Sequence, residues 1–229
     1  MSAVPLSVTG LEMPADFNVA AYESIHRRLG ASKPRFQVAT WDDYIGAWTA
    51  LSYRFFSCAE SDVAFTKSMN TFGATPPQPQ RYIQERELFC FFVLGLSTIE
   101  SLVYGLYAVA SVLDPNKYPL NNDNDRRHIY PESTSSKFND RFPNEAISNS
   151  LAAITISKEY IDWKDIRNML AHRILPGRNI RIVPGGTPLP ALWAGIELDV
   201  DTTATRRRWL AGKVFDLLGD IEIFVNTFF

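Results

Sequence analysis

The sequence predicts a mainly α-helical protein, an antiparallel helical bundle with a small inserted β-hairpin. Three observations predict it. Leu210, Val214, Leu217, Leu218, Ile221, Phe224, Val225 and Phe228 recur at steps of three and four, the seam of a helix packed in a bundle. Residues 88–113 form one long apolar run of helical length. Over 179–198 the period shortens: 179–183 and 194–198 alternate as two short strands around Pro184-Gly185-Gly186.

Taken in order, residues 1–39 are mixed and punctuated by Pro5, Pro14 and Pro34, an N-terminal extension with one expected helix near 18–29. The main helical domain then covers 40–229. Thr40-Trp41-Asp42-Asp43 resembles a capping start for an aromatic-rich helix running to about residue 69. Pro76-Pro77-Gln78-Pro79 ends it, and a long helix over 81–113 follows, stopped by Asp114-Pro115. Residues 114–143 are polar and irregular in pattern, which predicts a long mobile loop. Pro143-Asn144 opens a short helix to about 154, and Ser157 is placed to cap the next, which ends before Pro176-Gly177. The last helix spans about 203–228.

With 229 residues, 46% hydrophobic and 13% aromatic, the chain is long and apolar enough to bury a core, which excludes a disordered tail. A net charge of −2 excludes a protein that coats nucleic acid by bulk charge, leaving room for a local basic patch. Cys58 and Cys90 lie in apolar helical stretches and read as two buried thiols, not a disulfide framework. The first residues lack the basic start and apolar run of a signal peptide. The run 88–113 contains Glu100, Ser97, Ser101 and two glycines, so it reads as a buried core helix and not a membrane span. A cytoplasmic protein without membrane partners is the expectation. Three histidines and two cysteines, none at zinc-site spacing, predict no metal and no cofactor.

The chemistry-bearing segment is Arg167-Asn168-Met169-Leu170-Ala171-His172. Arginine holds phosphate through a fork of donors, and histidine moves protons near neutral pH. At about 100° per residue, Trp163, Ile166 and Leu170 share the face that must pack, while Asn168 and His172 lie roughly opposite it, with Arg167 at the edge. Arg167 and His172 stand about 140° apart, so they would meet one phosphate from two sides without touching. Asn168 is spaced to orient His172, whose place in the last turn favours the imidazolium form. Between residues 164 and 181, Lys164, Arg167, Arg173, Arg178 and Arg181 face only Asp165. That local positive patch would attract single-stranded RNA; taken alone, the same charges read as ordinary solvated residues at a helix end.

Arg167-Asn168-x-x-x-His172, within Trp163…His172-Arg173, resembles the motif helix of the HEPN superfamily, marked by Arg, four to six residues, then His. Leu96-Ser97-Thr98-Ile99-Glu100-Ser101-Leu102 also looks like its upstream helix, and the resemblance covers about 40–228. It implies a HEPN-like helical bundle, a homodimer bringing two motifs into one cleft, and metal-independent endoribonuclease activity on RNA. It further implies a toxin or anti-phage defence role, with an antitoxin or other protein as partner. On that reading the RNA 2′-OH attacks the adjacent phosphate and the 5′-oxygen leaves, giving a 2′,3′-cyclic phosphate. His172 moves a proton, Arg167 stabilises the phosphorane, and Asn168 positions His172 or the substrate. The alternative is a catalytically inactive module of the same fold that binds RNA, nucleotide or a protein; an unrelated bundle with structural Arg167 and His172 is the third reading.

Glu100 joins the catalytic candidates. Arg86, Cys90, Ser97, Glu100, Ser101 and Tyr104 form a polar stripe with apolar flanks, so this face should meet the motif helix or a second subunit. Glu100 then pairs with Arg167 or His172 and tunes them, or forms a structural ion pair with another arginine. Lys164, Arg173, Arg178 and Arg181 are the RNA-binding candidates. Arg206-Arg207-Arg208 reads as a solvated face, with RNA contact as the lesser alternative.

Overall fold

The computed structural model describes residues 4–5, 10–172, 176–179 and 191–229, without the side chains of residues 4, 5 and 172. Its helices are α1 (Val19–Ala31), α2 (Val38–Phe72), α3 (Gln78–Leu113), α4 (Asp123–Arg127), α5 (Pro131–Arg141), α6 (Ala146–Thr155), α7 (Lys158–His172) and α8 (Ala204–Phe228). Two small antiparallel sheets accompany them: β1 (Val4–Pro5) with β2 (Glu12–Met13), and β3 (Arg178–Asn179), β4 (Leu192–Trp193) and β5 (Ile196–Glu197) in that order. The protein is therefore mainly α with a small β element, as the periodicities predict.

The frame is the α2–α3 hairpin. Gly73, at φ 68, closes α2 by donating its N–H to Met69 O at 2.9 Å, a conformation that costs glycine little. Prolines then turn the chain into α3. Side-chain links run antiparallel along the pair: Cys58 to Phe91 O, Arg54 to Ser97 O, and Tyr104 to Asp43. Helix α3 is long and apolar enough to cross a membrane. Here it is the core helix, with Phe91, Phe92, Leu96, Ile99, Leu102 and Leu106 all buried. Helix α8 covers the bundle with the seam read from its sequence: Leu210, Val214, Leu217, Leu218, Ile221, Phe224 and Val225 are buried.

Four expectations change. The first concerns the N-terminal segment. Helix α1, capped where Asn18 Oδ1 accepts from Ala21 N at 3.1 Å, buries Tyr22, Ile25 and Leu29 in the common core. Tyr22 also donates to Trp48 O at 2.9 Å, so this segment is part of the bundle rather than an appendage.

Next, residues 114–143 are not an irregular loop, because they contain α4 and α5. Sparse aromatics hold them, with Tyr118, Phe138 and Phe142 buried and packed edge-on or tilted in a chain that reaches Phe224. Asn122 caps α4 through its accepted bond from Asp125 N at 3.0 Å.

The third change is in the hairpin. The segment 194–198 is not one strand, since Ala194 (φ 51) and Gly195 (φ 78) form a tight turn joining β4 to β5, the pattern of a type I′ hairpin. The earlier strand partner is Arg178–Asn179; the rest of 179–183 and the Pro184-Gly185-Gly186 turn lie outside the described residues.

Finally, Cys58 is buried but Cys90 is partly exposed, so the pair of buried thiols is corrected to one.

Candidate phosphate-binding site

The site is built where α7 crosses α3. Ser157 starts α7, accepting from Tyr160 N at 3.3 Å. One turn on, Trp163 enters the core: Nε1 donates to Phe92 O at 2.8 Å and the indole stacks on Phe91 at 5.0 Å. It can do so because position 95 is glycine, where a Cβ would lie 2.1 Å from Trp163 Cζ2. Trp163, Ile166 and Leu170 are the buried face, as their spacing requires.

One helical turn beyond Trp163, Arg167 reaches the polar stripe of α3. Its Nη2 donates to Glu100 Oε1 and its Nη1 to Asn168 Oδ1 at 3.2 Å, while its Nε is buried without a hydrogen-bond partner. The Arg167 side chain is 18% exposed and that of Glu100 34%, so the pair sits at the mouth of the helix interface. Arg167 is thus one of the partners that the sequence left open to Glu100, and the structure brings the two together. Asn168 contacts Arg167, and the sequence had suggested His172 for it. His172 is the last residue of α7, and its side chain lies outside the described residues.

A residue the sequence reading missed completes this edge. Arg54, from α2, donates through Nη1 to Ser97 O at 3.2 Å and to Ser101 Oγ. It is the one basic residue between Arg35 and Lys67, a signal available in the sequence but attached to no motif. Burial pushes the Arg54 guanidinium below its usual range; burial and the nearby Arg54 charge do the same to Arg167. Both remain cations at any physiological pH. Beside Arg54 and Glu100 opens a hollow of about 450 Å³, also lined by Gly46, Ala47, Ala50 and Tyr104. Tyr104 donates to Asp43 Oδ1 at 3.1 Å, and burial and that carboxylate push its hydroxyl up to about 12. Arg126 neutralises Asp43 at 3.1 Å.

The expected RNA-binding residues divide. Lys164 pairs with Glu132 and stays partly exposed, within reach of a ligand. Arg173 and Arg181 lie outside the described residues. Arg178 departs from the surface patch: its side chain is 1% exposed, and Nη1 donates to Ala74 O at 2.7 Å and Gln84 Oε1 at 2.8 Å. It locks β3 to the α2–α3 turn and presents nothing to a ligand here. Arg207 likewise departs from the solvated face, being buried over the Phe55 ring at 4.1 Å and paired with Asp16 at 2.8 Å. Among the described residues no group of three or more His, Cys, Asp or Glu is arranged to hold a metal ion. No family model, curated protein or solved structure matches this chain.

Proposed function

We propose that the protein is a metal-independent endoribonuclease of HEPN type, acting on single-stranded RNA in a toxin or anti-phage defence role. The observation that carries this reading is the Arg167–Glu100 pair. It places the motif arginine at an open helix edge, with Asn168 against it and a second cation, Arg54, nearby. Purely structural arginines in this molecule, Arg178 and Arg207, are sealed from solvent, whereas Arg167 stays partly exposed and its partner Glu100 lines a hollow.

In the proposed reaction the ribose 2′-oxygen forms a bond to phosphorus and the bond to the 5′-oxygen breaks. The 2′-hydroxyl proton passes to a base and the 5′-oxygen receives one from an acid. His172 serves one of these roles, and His172 of a second copy in a homodimer serves the other. Arg167 exchanges Glu100 for the phosphate oxygens and stabilises the phosphorane. Asn168 holds the Arg167 guanidinium in plane, and Lys164, Arg173 and Arg181 receive flanking phosphates.

A second reading, a silent module that binds RNA, nucleotide or a protein, is favoured by one observation. Arg167 already has both terminal nitrogens engaged, by Glu100 and Asn168. Incubation of the purified protein with varied RNAs in EDTA, beside His172→Ala and Arg167→Ala, separates the two. Cleavage with cyclic-phosphate ends, absent in both variants, supports the nuclease. No cleavage by any of the three proteins rejects it and leaves the binding module.

A further inference from the structure

Arg54 has no part in the motif, yet it shares the edge with Arg167. Among the described residues no carboxylate pairs with it, and its Nε and Nη2 meet no protein acceptor. Glu100, which lines the hollow together with Arg54, is bonded to Arg167, so this edge holds two half-buried guanidinium groups and one carboxylate. An interior edge with one cation in excess favours a bound anion, and a planar fork favours the oxygens of a phosphate.

The space for that anion is already open. Gly46, Ala47 and Ala50 of α2 line the hollow in front of Arg54. Gly46 is the informative member. It sits inside a long helix, where glycine costs about 1 kcal/mol relative to alanine. A Cβ there would meet nothing within 4 Å, so no neighbouring helix requires the glycine. What it preserves is open space in the hollow, which a larger side chain would occupy.

We propose that this hollow is a phosphate subsite for one nucleotide of single-stranded RNA, with Arg54 and Arg167 as its two phosphate-holding residues and Glu100 as the carboxylate the phosphate displaces. The subsite rests on the ribonuclease or RNA-binding reading of Arg167 given above. It adds a residue from α2, far from the motif in sequence, and makes the α2–α3 hairpin a binding element as well as a scaffold.

The test is fluorescence anisotropy of a labelled 2′-O-methyl oligouridylate, which cannot be cleaved, titrated in EDTA over a range of salt. Arg54→Gln should weaken binding about tenfold and flatten the dependence of log affinity on log salt by about 0.7, the loss of one single-strand phosphate contact. Gly46→Leu should weaken it at least as much while its unfolding midpoint holds or rises, because leucine fills the hollow and favours the helix. Glu100→Gln should tighten it about threefold by removing the competing carboxylate.

If Arg54→Gln fails to fold, Gly46→Leu and Glu100→Gln decide. Wild-type affinity in a folded Arg54→Gln, or in Gly46→Leu, beside weakened binding in Arg167→Gln overturns the subsite and leaves the function standing. No binding by the wild-type protein, or no loss in Arg167→Gln, overturns both.

Discussion

The indole of Trp163 lies in the notch left by Gly95, with Cζ2 only 2.1 Å from where a Cβ on that glycine would stand. This contact lets α7 approach α3 closely enough for Arg167, four residues after Trp163, to meet Glu100, five residues after Gly95. The apolar half of the interface thus positions the polar half.

Gly95→Ala should therefore damage both. Overpacking of this kind costs about 1–3 kcal/mol, and the contact is close enough to place the loss toward the upper end. A chain of this size would lose several degrees in Tm, about 2–4 °C per kcal/mol. Thermal unfolding of Gly95→Ala checks this, and a Tm equal to wild type would show that α7 does not depend on the notch.

Arg178 supplies a second prediction. Replacing it with Met removes bonds to Ala74 O and Gln84 Oε1 and leaves those acceptors unsatisfied inside the molecule. A loss of about 2–3 kcal/mol in urea denaturation is expected, since these are bonds from a charged donor. Arg178→Lys should recover only part of it, because an ammonium cannot reproduce the planar fork. RNA affinity, measured on folded Arg178→Lys, should stay at the wild-type level.

A pH dependence follows from His26. Burial lowers its pKa from 6.5, and its Nδ1 is buried without a partner beside Tyr44. The folded state therefore takes up the proton less readily than the unfolded chain. Stability is complete above the unfolded value near 6.5 and falls as the pH drops from there toward the lower folded value. His26→Gln removes this contribution, so its stability should decline less over the same acid range. Denaturation curves of both proteins at a series of pH values provide the comparison, and parallel declines would show that His26 contributes nothing.

The two thiols should be distinguishable. Cys58 is fully enclosed and its Sγ points at Phe91 O at 3.6 Å, whereas Cys90 is partly exposed. A thiol reagent should label one cysteine in the native protein and two after denaturation. Burial and Glu87 push the Cys90 thiol up, so its labelling should be slow at neutral pH and quicken as the pH rises. Native labelling at Cys58 would mean the α2–α3 hairpin opens locally.

Much of the molecule is written in local patterns. The buried faces of α7 and α8 are read directly from their spacings, because a helix repeats every 3.6 residues whatever it packs against. The polar stripe of α3 also announced itself as a contact surface, and Glu100 on it meets Arg167 of α7. The segment 114–143 did not: its few aromatics are anchors only because α8 lies beneath them, and its polar composition disguised two helices. Arg178 and Arg207 read as surface cations for the same reason. Their partners, Gln84 and Asp16, are remote in sequence, and nothing local signals that burial has been compensated.

By itself the sequence determined the helical class, the boundaries marked by glycine, proline and serine, and the place of Arg167, Asn168 and His172 together near the end of one helix. Only the tertiary structure decided that Glu100 and not another carboxylate meets Arg167, and that Arg54 arrives beside them from α2. Helix periodicity specifies which face is apolar; which partner that face meets depends on close packing between distant segments, and here on one glycine small enough to admit one tryptophan.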